Sequence, residues 1–267
     1  MKKTFAKKSF GQNFLVDGNH IAKIIAALNL QIDETVIEIG AGRGALTEGL
    51  VESGASVIAI ELEREMNAVL RDRFSDKNNF QLVEADALRI DYSRFRIPDS
   101  KFQIKLVANL PYYISTAILQ KLIEQREVFS KMILMFQLEV VERITAEVGN
   151  SERGFLSVLV QNYLEVNKLF DVPPSAFRPS PKVNSAVVRL TPKPESGIKD
   201  DKLFREIVSA AFVQKRKTIF NNLKTAPPEL RGKLGDVNQT LANCGIAPNR
   251  RAETLTIDEW RCLCESL

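Results

Sequence analysis

The chain has 267 residues, 45% hydrophobic and 26% charged, an ordinary globular composition with length for one large core and a small second domain. Its most apolar run, MILMF at 132–136, is only a strand's length, so no membrane span is expected. The opening lysines lead into no apolar block, so no secretory signal is read there either. The net charge of +4 equals the four lysines of the first ten residues, Lys2, Lys3, Lys7 and Lys8, which makes residues 1–9 a basic arm on a neutral body.

After the arm, residues 19–30 (NHIAKIIAALNL) carry apolar side chains at helical spacing. An alternation follows: strand 35–40, helix 45–54, strand 56–61, helix 63–74, strand 80–86, strand 104–110, helix 115–126 and strand 131–137. Short β-rich runs separated by amphipathic helices predict a parallel sheet covered on both faces. From about residue 155 the rhythm changes, and 155–172 and 185–192 read as long strands of an antiparallel hairpin closing that sheet. The stretch PKPESG, 192–197, reads as a linker, and the segments 201–223, 227–246 and 256–267 beyond it read as helices. The expected domains are therefore 1–191 and 198–267.

Cys244, Cys262 and Cys264 fall near the C-terminus without framework spacing and predict reduced thiols. They are too few for a zinc site, and no metal is expected. His20 is the single histidine, which removes Ser-His and Cys-His arrangements and reads best as a residue near a helix start.

The first strand runs into EIGAGRGALT, with Gly40, Gly42 and Gly44 at the turn into a helix. Glycines there let the backbone turn sharply and approach a ligand beside the positive end of a helix. Glu61 ends the second strand, suited to accept both hydroxyls of a ribose, and Asp86 ends the third, suited to accept from an adenine amine. Together the three strand ends fit an adenosine moiety, in either a nicotinamide dinucleotide or S-adenosylmethionine.

The fourth strand decides between them. It ends in NLPYYI, 109–114, with no acid, base or nucleophile in it. The side-chain carbonyl of Asn109 and the backbone carbonyl of Leu110 are two acceptors for the hydrogens of an aromatic amine. Held there, the nitrogen turns its lone pair toward an electrophile. Pro111 removes a competing donor, and Tyr112 offers a face for base stacking, worth about 1–3 kcal/mol. A nitrogen that has just gained a methyl group is acidic enough to lose its proton to water, so no strong base is needed. The stretch suits methyl transfer to an aromatic amine.

With these residues the chain resembles the ribosomal RNA adenine N6,N6-dimethyltransferases, and within them the bacterial small-subunit (16S) enzymes. The match includes KKSFGQNFL, EIGAGRGALT, EADAL, NLPYYIST, FRPSPKVNSAVV, AFVQKRKTIFNNL and RRAETLTIDEW. The resemblance implies an α/β fold, a Rossmann-like class I methyltransferase sheet with a small helical C-terminal domain that binds RNA. It implies S-adenosyl-L-methionine as cofactor, held by Gln12, Asn13, Leu15, Gly40, Gly42, Glu61, Leu62, Asp86 and Asn109. Phe177 is implied to face the target base opposite Tyr112, and Lys215, Arg216, Lys217, Arg250 and Arg251 to contact RNA phosphates. The implied partner is 16S rRNA within an immature small ribosomal subunit, in the cytoplasm, with the protein a monomer. The rival readings are large-subunit (23S) dimethylation conferring antibiotic resistance, a DNA adenine methyltransferase, a dehydrogenase, and a mainly non-enzymatic subunit-assembly factor.

Overall fold

A computed structural model describes residues 13–96 and 104–267. The basic arm and Gln12 lie outside the described residues. In chain order the N-terminal elements are β1 (Phe14–Leu15), α1 (Gly18–Leu28), β2 (Thr35–Ile39), α2 (Ala45–Glu52), β3 (Ser56–Glu61), α3 (Arg64–Phe74) and β4 (Phe80–Glu84). Then come β5 (Ile104–Asn109), α4 (Ser115–Glu124), β6 (Phe129–Gln137), α5 (Leu138–Thr145), α6 (Phe155–Tyr163), β7 (Leu164–Val172), β8 (Phe177–Arg178) and β9 (Ser185–Pro192).

Seven strands form one sheet in the order β4-β3-β2-β5-β6-β9-β7. β4, β3, β2, β5 and β6 are mutually parallel, and β9 pairs antiparallel to β6. After β2 the chain builds outward through β3 and β4, then returns to place β5 on the other flank of β2. The crevice for a ligand in such a sheet opens where the order reverses, at the carboxyl ends of β2 and β5. Gly40 and Asn109 stand at those two ends.

The strands earn their place by burial. Val36, Val107 and Ile133 are fully or almost fully buried beneath Ile24 and Leu28 of α1 and Leu46 and Leu50 of α2, each such side chain worth about 1.5–3 kcal/mol. α1 starts at Asp17, whose carboxylate accepts from the His20 backbone N–H at 3.0 Å and lies 2.9 Å from the His20 ring Nδ1. These hydrogen bonds, the backbone one foremost, hold the Asp17 carboxyl below its usual range. His20 is thus a helix-start residue.

The described residues divide into two units: those up to Val141 with Glu165–Pro192, and Glu142–Leu164 with Lys193–Leu267. The break at 192/193 falls in the expected linker, but Glu142–Leu164 groups with the C-terminal unit instead of with 1–191. The expected strand at 155–172 is in fact α6 followed by β7. A short, all-round apolar run cannot be told from a buried helix by periodicity, and Leu156, Val158, Leu159, Val160 and Tyr163 are all buried. The local start signal is Ser157, whose Oγ accepts from the Gly154 N–H at 2.9 Å and donates to the Arg143 carbonyl at 2.6 Å.

The C-terminal unit continues with α7 (Asp201–Ala211), α8 (Ile219–Lys224), α9 (Pro228–Leu234), α10 (Val237–Asn243) and α11 (Ile257–Glu265). The segment 201–223 is two helices, not one. Buried Asn222 stitches the turn between them, donating to the Ala211 and Gln214 carbonyls at 2.8 and 3.1 Å and accepting from the Gln214 N–H at 3.2 Å. Similarly 227–246 breaks at Gly235, whose φ of +58° suits glycine, and Asp236 caps the next helix. The cysteines also depart from expectation: Cys244 and Cys262 form a disulfide, and Cys264 is a buried thiol. Cys244 caps the end of α10 and α11 contains Cys262, so tertiary packing joins residues whose sequence spacing carries no signal. No helix among the described residues is long and apolar enough to cross a membrane.

Candidate active site

The glycine turn is bound from below by an acid. Past β2, Gly40 and Gly42 have φ of +72° and +55°, values that favour glycine. The Gly40 N–H donates to the Ile60 carbonyl at 2.8 Å. Glu61, at the end of β3, accepts from the Gly42 N–H on one carboxylate oxygen at 2.9 Å and from the Glu63 N–H on the other at 2.8 Å. The carboxylate therefore ties the turn to the start of α3, and each oxygen keeps a lone pair for a ligand hydroxyl.

Two cavities meet above this turn, sharing Gly40, Glu61 and Pro111. The larger, about 440 Å³, is lined by Asn13, Phe14, Glu38, Asn109, Leu110 and Tyr112 among others. The smaller, about 210 Å³, is walled by apolar Ile39, Ile60, Ala87, Ile114 and Ile118, with Glu61, Glu63 and Asp86 as its acids. Asp86 accepts from the Leu88 N–H at 3.0 Å. Leu62 and Tyr113 also line it, 65% and 62% exposed, so apolar surface waits at its mouth for a flat partner. A Cβ built on Gly40 meets nothing within 4 Å, so the backbone faces open space where a ligand can press close. Backbone access, a carboxylate for a ribose and an apolar slot with Asp86 at its side fit the adenosine half of S-adenosylmethionine.

At the end of β5, the Asn109 Nδ2 donates to the Asn13 carbonyl at 3.4 Å. This fixes the amide's orientation, and its Oδ1 has no donor among the described residues. The turn beyond is closed by the Ile114 N–H on the Pro111 carbonyl at 3.2 Å and by Ser115 Oγ on the Tyr112 carbonyl at 3.1 Å. The Tyr112 hydroxyl lies 2.7 Å from Ser185 Oγ. Ser185 is opposite Gln137 in the β6–β9 ladder, so the sheet itself positions the ring, and burial pushes the phenol pKa up.

Phe177 does not stand where the resemblance put it. It is 1% exposed, belongs to the core cluster and lines neither cavity. In the β1–β8 ladder Phe177 opposes Leu15 and Arg178 opposes Phe14. Leu15 and Phe177 belong to the core cluster, and Leu15 also lines the larger cavity together with Phe14 and Arg178. Phe14 is the aromatic that sequence reasoning missed. Its ring lies 3.2 Å from where a Gly42 Cβ would stand, and the Arg43 guanidinium sits over it at 4.5 Å. Phe177→Ala is accordingly expected to cost about 3–5 kcal/mol in denaturant unfolding. Loss of methylation at unchanged stability would return that ring to the cavity.

Glu38 was missed as well. It is 2% exposed, lines the larger cavity and accepts from Thr47 Oγ at 2.6 Å. Its place in EIGAG, two residues before Gly40, was the available signal.

Of the basic residues in the C-terminal unit, Arg216 and Lys217 are exposed on the turn after α7. Lys215 donates to the Ser151 carbonyl, and Arg251 lies 3.9 Å from Glu253 while staying 55% exposed. Arg250 is engaged within the C-terminal unit. Its guanidinium bonds both carboxylate oxygens of Glu259, one at 3.1 Å, and Thr254 Oγ1 at 3.2 Å. Glu259 in turn accepts from the Thr256 N–H in the capping box that starts α11. Arg250→Ala is expected to lower the melting temperature by several degrees with little change in RNA affinity, whereas Arg216→Ala weakens RNA binding about uniformly and reduces the log–log salt slope by about 1. Melting curves and filter binding at several salt concentrations separate the two, and the reverse assignment would contradict these roles.

The family model described as ribosomal RNA adenine dimethylase matches residues 3–267. The chain belongs to that family. Curated relatives include the ribosomal RNA small subunit methyltransferase A of Geobacter metallireducens, 39% identical over 98% of this chain and 95% of its own. Its namesake from Lysinibacillus sphaericus is 40% identical over 98% and 90%. Among solved structures, a dimethyladenosine transferase from Plasmodium falciparum superposes with a TM-score of 0.76 at 28% identity, covering 94% of this chain and 95% of that one. The 23S rRNA methyltransferase ErmE gives 0.70 at 26%, covering 96% and 99%. The sheet is thus a class I methyltransferase sheet, and this member of the dimethylase family is an S-adenosylmethionine-dependent methyltransferase.

Proposed function

We propose that the protein transfers methyl groups from S-adenosyl-L-methionine to the N6 amines of two adjacent adenosines near the 3′ end of 16S rRNA, within an immature small ribosomal subunit in the cytoplasm, acting as a monomer. The observation that carries the chemistry is the end of β5, where Asn109 is oriented by the Asn13 carbonyl and Tyr112 is anchored on Ser185. Relatives named for the small subunit, at 39–40% identity over almost the whole chain, support that substrate over the large-subunit one.

The residues divide the work as follows. Asn109 Oδ1 and the Leu110 carbonyl accept the two amine hydrogens and direct the nitrogen lone pair along one line. Tyr112 stacks on the extruded base and offsets part of the few kcal/mol that unstacking costs. Glu61 and the glycine turn hold the ribose side of the donor, and Asp86 the adenine side. The donor supplies an electrophilic methyl on a cationic sulfur, a good leaving group. After the first transfer one N–H remains, so a single carbonyl then orients the amine for the second. In the C-terminal unit Arg216, Lys217, Lys215 and Arg251 supply salt-sensitive attraction to phosphates.

The test supplies purified small and large subunits separately, with radiolabelled donor. Label is expected in small-subunit RNA. Label confined to large-subunit RNA would overturn the choice of substrate while leaving the chemistry standing.

A further inference from the structure

Arg178 stands at the rim of the larger cavity with most of its guanidinium unused. Three arginines line that cavity, Arg43, Arg73 and Arg178. Arg73 is paired with Glu48 at 3.0 Å, and Arg43 lies over the Phe14 ring. Arg178 pairs with no carboxylate among the described residues. Its Nη1 donates to the Phe177 and Ser175 carbonyls at 2.8 and 3.1 Å, which takes both hydrogens of that nitrogen. The Nε–Nη2 edge, a side of the fork that fits two oxygens of one anion, has no acceptor among the described residues. The chain on both sides sets the place of this edge. Arg178 opposes Phe14 in the β1–β8 ladder, next to Asn13, whose carbonyl orients the Asn109 amide. Beyond it, Pro179 and Pro181 each fix a φ angle, and Ser180 Oγ donates to the Pro174 carbonyl at 2.9 Å. The chain then reaches Ser185, which anchors the Tyr112 hydroxyl at 2.7 Å. Arg178, Pro179 and Ser180 are exposed.

We propose that Arg178 is a backbone clamp for the target nucleotide, its Nε–Nη2 edge taking in a bidentate grip the phosphate beside the adenosine whose base enters the cavity. The inference deepens the function proposed above and rests on the base reaching Asn109 and Tyr112 through this cavity. When a base leaves its stack, the sugar and phosphates stay outside the pocket, on the side where Arg178 is exposed. Extrusion is unfavourable, and a charge-assisted pair made only with the rotated backbone offsets part of it. Two main-chain carbonyls already hold Nη1, so little side-chain freedom is lost when the other edge engages. The donor's carboxylate is an oxyanion with the same recognition chemistry. The exposure of Arg178 favours the phosphate.

The test compares wild type, Arg178→Ala and Arg178→Lys in the full-length protein. Methylation of immature small subunits at saturating donor, over several salt concentrations, reads the efficiency kcat/KM for the subunit and its log–log salt slope. Calorimetric titration with S-adenosylmethionine reads the donor, and melting curves read the fold. Arg178→Ala is expected to lower the efficiency by about tenfold to a hundredfold and the salt slope by about 1. Donor affinity is expected to stay within about twofold of wild type, because the clamp touches RNA alone. Arg178→Lys keeps the charge without the fork, so it is expected to restore the salt slope and only part of the efficiency. A lower melting temperature in both variants with the salt slope unchanged would reduce Arg178 to a tie on the Phe177 and Ser175 carbonyls and overturn the clamp. A fall in donor affinity of about tenfold or more with the slope unchanged would assign the edge to the donor's carboxylate and overturn the phosphate. Wild-type efficiency and slope in Arg178→Ala would overturn the clamp while the proposed function stands. Absence of methylation by wild type itself would instead overturn the function on which the inference rests.

Discussion

Glu61→Ala is expected to lower S-adenosylmethionine affinity by a hundredfold or more, with RNA affinity nearly unchanged. The carboxylate accepts the backbone N–H groups of Gly42 and Glu63, one on each oxygen. Two hydrogen bonds from a ribose to a charged acceptor are worth about 1.5–3 kcal/mol each. Truncation also orphans the Gly42 N–H and releases the turn that keeps Gly40 open to the ligand, so the loss exceeds the two contacts alone. Glu61→Gln is the informative companion. It keeps one acceptor oxygen but turns an NH2 toward one of the two backbone donors, so it is expected to bind more weakly than wild type and more tightly than the alanine variant. Calorimetry reads the donor, and filter binding reads RNA. The exposed cations assigned to RNA, Arg216 and Lys217, lie in the other unit. A parallel collapse of RNA affinity would mean that donor and RNA sites are not separable.

Asn109→Ala is expected to reduce the methylation rate by about a hundredfold to a thousandfold, the scale of losing one directed hydrogen-bond partner from a reacting group. Donor affinity should fall far less than in Glu61→Ala, because the Asn109 amide nitrogen donates to the Asn13 carbonyl and the proposed role of its oxygen is to the amine, not to the donor. Tyr112 makes a graded comparison. Tyr112→Phe keeps the stacking face and loses only the Ser185 anchor, so it should retain most activity, whereas Tyr112→Ala loses the face. Single-turnover rates with saturating donor separate these effects. An Asn109→Ala rate equal to wild type would remove the carbonyl grip from the chemistry.

What the sequence revealed follows a physical division. Gly40, Glu61, Asp86 and Asn109 were legible because each sits at the carboxyl end of a parallel strand, and strands of this kind announce themselves as short apolar runs. The order of the sheet then brings these ends together whatever the details of packing. The places of Phe14 and Phe177 were not legible, because they depend on the packing of a two-residue ladder, β1 on β8, between segments far apart in the chain. α6 was hidden for another reason: an apolar run buried on every side has no period to read. Arg250 looked like one more cation beside Arg251 until Glu259, nine residues on, was seen to engage it. Glu38 was in plain view inside the glycine motif, yet its burial against Thr47 is a property of the packed cavity.

The most direct measurement is nucleoside mass spectrometry of 16S rRNA from immature small subunits incubated with the protein and S-adenosylmethionine. Two carbonyls gripping an exocyclic amine at the end of β5 require the methyl groups to appear on N6, as N6,N6-dimethyladenosine at two neighbouring positions. Methyl groups on a ring nitrogen or ring carbon, or adenosines left unmodified throughout, would contradict that arrangement.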